Sequence, residues 1–116
     1  MTYHDPCYLG KHNQVYEDPR RVLEAIPGIQ LVEMERNREN SLCCGGGGGR
    51  MWADFDERQH LAEIRVLEAL ETGAEILATA CPFCLINFED AVKVLDREDD
   101  IVVKDISEIL IEGMLA

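Results

Sequence analysis

The chain has 116 residues, enough for one domain with a buried core, and 47% of them are apolar, which argues against disorder. Its formal net charge of −12 argues against nucleic acid or an anionic membrane surface as the main partner. No apolar run approaches the roughly 18 residues of a transmembrane helix, and no basic region followed by an apolar core marks a signal peptide, so a cytoplasmic protein, not itself transmembrane, is expected.

In chain order, Thr2–Pro6 reads as a short strand. Asp18-Pro19 starts a helix, with Asp as cap and Pro in the first turn; Val22, Leu23 and Ile26 form its apolar side, and Pro27-Gly28 stops it. Ile29–Met34 is strand-like and rich in branched residues. A polar stretch then leads to CCGGGGG. Asp54 with Glu57 has the spacing of a capping box and opens a long helix ending at Gly73. Glu75–Ala80 has the pattern of a buried strand. Pro82 opens a helix on which Leu85, Phe88, Val92 and Leu95 recur at helical spacing. Ile101–Lys104 is a strand, and Asp105 with Glu108 repeats the capping pattern before the last helix.

This alternation is the signature of an α/β fold: about four mostly parallel strands with helices on both faces. No internal repeat or linker divides residues 1–116. The first strand begins almost at Met1, without a lead-in, which suggests a domain cut from a longer protein.

Five cysteines are an odd number, and without a secretion signal a disulfide framework fits poorly. Cys7 follows the first expected strand, Cys43 and Cys44 precede the long helix, and Cys81 and Cys84 follow the third strand and open its helix. Loops at the C-terminal ends of parallel strands lie along one edge, where ligands usually bind, so three segments converge five thiols there. Thiolates favour zinc, copper(I) and iron–sulfur clusters. A structural zinc takes four ligands, usually as two short pairs, whereas adjacent cysteines can reach different metals of a multi-iron cluster. Count and spacing lean towards iron and sulfur.

Five consecutive glycines are entropically costly, so packing alone does not favour them. Beside a cluster they gain a purpose: the N–H groups of Gly45, Gly46 and Gly47 can approach and donate to sulfur, and Gly permits the torsions that turn Cys43 and Cys44 inward. Cys81 and Cys84 sit at a helix N-terminus, where the dipole favours thiolate. A phosphate-binding loop is disfavoured, because Arg50-Met51 stands where Lys-Ser/Thr is needed.

Together these residues carry a resemblance. Cys7, then 35 residues, Cys43-Cys44-Gly45, then 35 residues, Cys81-Pro82-Phe83-Cys84, with the flanking words HDPCYLGKH and ENSLCCGGGGGRMW, resembles the cysteine-rich CCG domain. That domain belongs to the B and D subunits of heterodisulfide reductases and to related iron–sulfur oxidoreductase subunits. The resemblance runs from Tyr3 to about Val103. It implies that Cys7, Cys43, Cys44, Cys81 and Cys84 all bind a [4Fe-4S]-type, non-cubane cluster at which a disulfide is reductively cleaved. Those subunits normally hold two such motifs and this chain holds one, so it resembles the C-terminal motif of a larger protein.

The expected partners are the other half or subunits of a larger redox complex, a ferredoxin-like electron donor and a disulfide substrate, with membrane association only through a partner subunit. His4, Arg50 and His12 are candidate donors or proton sources; against this, His4 reads as a core histidine, His12 as surface and Arg50 as an ion-pair member. Trp52 reads as a packing anchor. Two other classes stay open: an electron-transfer module of a flavin- or quinone-linked dehydrogenase, and a zinc-stabilised interaction domain.

Overall fold

The computed structural model describes residues 1–6, 15–38 and 55–115, with the backbone alone for 55–60 and 114–115. Its elements are β1 (Thr2–Tyr3), α1 (Glu17–Glu24), α2 (Phe55–Glu71), β2 (Ile76–Thr79), α3 (Pro82–Val94), β3 (Val102–Asp105) and α4 (Ile106–Leu115). Among the described residues the strands form one parallel sheet in the order β1-β2-β3. Thr2 lies opposite Leu77 and Tyr3 opposite Ala78; Leu77 lies opposite Val103. The N–H of His4 donates to the Ala78 carbonyl at 2.9 Å and carries the pairing one residue past β1.

Side chains alternate across a strand, and that alternation divides the core in two. Leu77 and Val103 pack with Val66 and Ala69 of α2 and with Phe88 and Val92 of α3. On the other face Tyr3 and Ala78 pack with Leu23, Ile26 and Ile109. Helices therefore cover both faces, as expected for parallel α/β. Full burial of a Leu or Phe such as Leu77 or Phe88 contributes about 1.5–3 kcal/mol each.

Several expectations need correction. Three strands are described, where about four were expected, because Ile29–Met34 is not a strand. It runs beside Met1, whose carbonyl accepts from the Val32 N–H at 2.8 Å and whose amino group donates to the Gln30 carbonyl at 3.1 Å. β1 is only two residues long, so this neighbour finds too few partners for a ladder. The cap position of α1 is Tyr16, not Asp18, and no side chain caps it. Asp18 lies in the first turn and pairs with Arg21 at 3.2 Å. Val22 is exposed, leaving Leu23 and Ile26 as the buried side of this helical segment.

The reading of the last helix agrees with the structure. The Ser107 N–H donates to Asp105 Oδ1 at 2.9 Å while Glu108 reaches back to the Asp105 N–H. α2 ends at Glu71, and Gly73 takes a φ of +78°, the left-handed region that ends helices and suits glycine. Among the described residues no helix is long and apolar enough to cross a membrane.

α4 meets α1 and the turn after it through a small residue. A Cβ built on Gly113 comes 2.6 Å from Cγ2 of the buried Ile26. Alanine in a helix interior gains about 1 kcal/mol over glycine, but overpacking costs about 1–3 kcal/mol, and a contact this short has to be relieved by moving a helix. Gly113→Ala is therefore expected to lower the denaturant midpoint. Ile26→Leu, which removes the branched methyl, is expected to recover part of the loss in the double variant.

Candidate metal centre

Cys81 stands at the N-cap of α3 in extended conformation (φ −126°, ψ 126°), Pro82 occupies the first turn, and the Leu85 N–H donates to the Cys81 carbonyl at 3.0 Å. Proline fits here because its missing N–H would find no helical partner. Cys84 lies three residues on, so both cysteines fall on the first turn and share a side. Cys84 is buried and Cys81 half-buried, and neither forms a disulfide. Burial pushes the Cys81 thiol up, and the Cys84 thiol adds to this; the N–H groups of Phe83 and Cys84 oppose it without completing a side-chain cap. A bound cation reverses that balance, because coordination deprotonates thiols outright.

His4 follows β1 on the same sheet face as Leu77, and its fully buried ring meets the edge of Phe88 with centroids 4.7 Å apart and planes at 85°. Phe88 is one turn beyond Cys84 on α3, so the imidazole rests against the face of the helix that carries the thiol. Arg65, buried in the middle of α2, donates from Nε to His4 Nδ1 at 2.8 Å and from Nη1 to the Arg36 carbonyl at 2.6 Å. Burial holds the His4 pKa below its ordinary value; the neighbouring Cys84 side chain opposes this and the Arg65 charge adds to it. Burial also lowers the Arg65 pKa, against the pull of Glu68 and Asp5.

The next residue turns the other way. Asp5 is buried and takes a two-pronged bond from Arg20 of α1, Nη1 to Oδ1 and Nη2 to Oδ2, both at 2.7 Å. The Arg38 N–H donates to the same carboxylate at 2.6 Å. Arg20 also reaches Glu33 at 2.6 and 2.9 Å and lies over the Tyr3 ring at 5.1 Å. Burial opposes the Arg20 charge, but the bonds to Asp5 and Glu33 outweigh it and raise its pKa. The chain leaving β1 is thus clamped on both faces, His4 to α2 and Asp5 to α1, two residues before Cys7.

The structure brings together three of the expected site residues: His4, Cys81 and Cys84. Cys7, His12, Cys43, Cys44, Gly45, Gly46, Gly47, Arg50, Trp52 and the capping Asp54 lie outside the described residues. Among the described residues no group of three or more His, Cys, Asp or Glu is arranged to hold a metal; Cys81 and Cys84 are the cysteines described. The donor set suits iron and sulfur: soft thiols at a helix start, beside an imidazole whose buried Nε2 makes no hydrogen bond among the described residues. Sequence reading missed Arg65, Asp5 and Arg20. A signal for Arg65 was present, since it shares its helix face with the buried Ala62, Val66 and Ala69 and is a charge within an apolar stripe.

Parallel strands that deliver a CxxC to a helix start, at the sheet edge where β1 also ends, define an α/β domain with two thiols at the C-terminal edge of its sheet. The family model for the CCG cysteine-rich domain matches residues 1–89, and the chain belongs to this family. The chain is 48% identical over 114 residues to the D subunit of the dihydromethanophenazine:CoB–CoM heterodisulfide reductase of Methanosarcina barkeri, covering 98% of this chain and 27% of that protein. It is 43% identical over 115 residues to the probable iron-sulfur-binding oxidoreductase FadF of Bacillus subtilis, covering 99% and 16%. Identity to the EtfAB:quinone oxidoreductase of Syntrophomonas wolfei is 40% over 121 residues, covering 98% and 17%. The chain thus spans between 16% and 27% of the length of these curated relatives. No solved structure matches.

Proposed function

We propose that this chain is the iron–sulfur domain of a heterodisulfide reductase-like oxidoreductase, with Cys7, Cys43, Cys44, Cys81 and Cys84 binding a [4Fe-4S]-type cluster that serves reductive cleavage of a disulfide. The observation that carries the reading is the seating of Cys81 and Cys84 at the start of α3, against His4 at the end of β1. Membership of the CCG family and likeness to the D subunit of a heterodisulfide reductase support it. Two electrons and two protons convert one disulfide into two thiols. When bound, the cluster supplies one-electron steps and an iron that accepts sulfur. The chain's own part is to hold its thiols at one edge, keep water from Cys84 through the core of α3, and aim N–H groups at sulfur. Electrons come from a partner of ferredoxin-like chemistry, and membrane association comes through a partner subunit.

A second reading keeps the cluster but makes it a relay to a flavin or quinone site elsewhere. The likeness to an EtfAB:quinone oxidoreductase favours this reading. The test is iron, zinc and acid-labile sulfide per chain after anaerobic reconstitution, with EPR on oxidised and reduced samples. Several irons with matching sulfide are expected, lost in Cys43→Ser and Cys44→Ser. An EPR signal altered by added thiol supports disulfide chemistry, and an indifferent signal supports the relay. One zinc without sulfide overturns both.

A further inference from the structure

We infer that Arg65 and His4 form a buried positioning pair that holds the imidazole with its Nε2–H as a hydrogen-bond donor to the Cys84 sulfur. The inference rests on the reading of Cys84 as a cluster ligand. Arg65 has only donors, so the lone pair that receives its Nε–H at 2.8 Å must be on His4 Nδ1. The proton of the neutral ring is then on Nε2. That nitrogen is buried and makes no hydrogen bond among the described residues. A buried donor left unmade is costly, so an acceptor is called for. The Cys84 side chain lies beside the imidazole, one turn before Phe88 on α3, and offers it a sulfur acceptor. A thiolate accepts more strongly than a thiol, so ligation tightens the contact.

Three constraints leave the ring little choice. Arg65 sits in the buried stripe of α2 and is anchored by the Arg36 carbonyl, so its fork cannot swing away. Phe88 blocks ring rotation with its edge-to-face contact. The His4 N–H is locked to β2 through the Ala78 carbonyl. Metal sites use this arrangement when a second group orients a first ligand and tunes its electron density. Here the order is unusual, since the histidine is not the ligand; it stands one hydrogen bond outside, and Arg65 selects its tautomer.

Hydrogen bonds to sulfur are one of the levers that set cluster potential. They stabilise the more electron-rich reduced form, so losing this bond lowers the midpoint potential. In the reconstituted full chain, His4→Phe is expected to shift the redox equilibrium roughly tenfold toward the oxidised form, about 59 mV for a one-electron couple. His4→Gln, whose amide can place an N–H where Nε2–H was, is expected to restore most of the shift. A second measurement does not depend on either variant folding. In the chain carrying His12→Gln and His60→Gln and labelled with 15N-histidine, pulsed EPR of the reduced cluster is expected to show a weak coupling to one His4 nitrogen. A loaded cluster with no such coupling, or with the same potential in His4→Phe and wild type, overturns the inference and leaves the cluster reading intact. Wild-type chain without iron and sulfide overturns the cluster reading, and this inference with it.

Discussion

Arg20→Met is expected to cost about 3–5 kcal/mol of folding free energy, the usual penalty for removing one partner of a buried ion pair. The guanidinium and the Asp5 carboxylate are both within 2% of full burial, so neither has water to fall back on. Methionine fills much of the arginine volume but leaves Asp5 with the Arg38 N–H among its remaining bonds. The total stability of a domain this size is about 5–15 kcal/mol, so the variant approaches the unfolding threshold. Urea denaturation of the chain measures it directly. The double variant Arg20→Met/Asp5→Asn is expected to recover a large part of the loss, because no unpaired charge is then buried. A strictly additive double variant would mean that the pair is not coupled, and that Arg20 acts through its stacking on Tyr3 and its bond to Glu33.

Much of this arrangement is legible in the sequence because local chemistry and tertiary role agree. Asp105 and Glu108 cap α4 through their spacing alone, and Pro82 starts α3 through its missing N–H. The placement of CxxC at a strand exit follows from the order of elements, and the structure puts Cys81 two residues past β2. Ile29–Met34 misleads because branched residues report only a fit to a pleated surface, whereas a strand also needs a partner long enough to pair with. Arg20 and Arg65 escape a sequence reading because charged residues in helices usually belong to solvated faces. Their partners lie 15 and 61 residues away in sequence, and no local pattern announces such a pairing. The word HDPC contains both halves of the clamp, yet only the alternation of a parallel strand shows that His and Asp must part to opposite layers.

Cys84→Ala is expected to remove nearly all bound iron and sulfide while lowering the stability of the metal-free chain by about 1 kcal/mol, the loss of one small buried group. The two effects need separating, because Cys84 is also a member of the core between α2 and α3, and a buried cysteine is by default a small hydrophobe. Val92→Ala supplies the contrast. Val92 lies two turns along the same helix in the same core, and losing two methyl groups there costs about 2 kcal/mol. If Cys84 is a ligand, the less destabilised variant loses its cluster and the more destabilised one keeps it. Iron content that followed stability instead, with Val92→Ala the emptier of the two, would make Cys84 a packing residue and shift the weight of the site to the other four cysteines. His4 sharpens the choice: a donor nitrogen held in one tautomer beside Cys84 would be of no use to a methyl-sized filler and of use to a thiolate ligand.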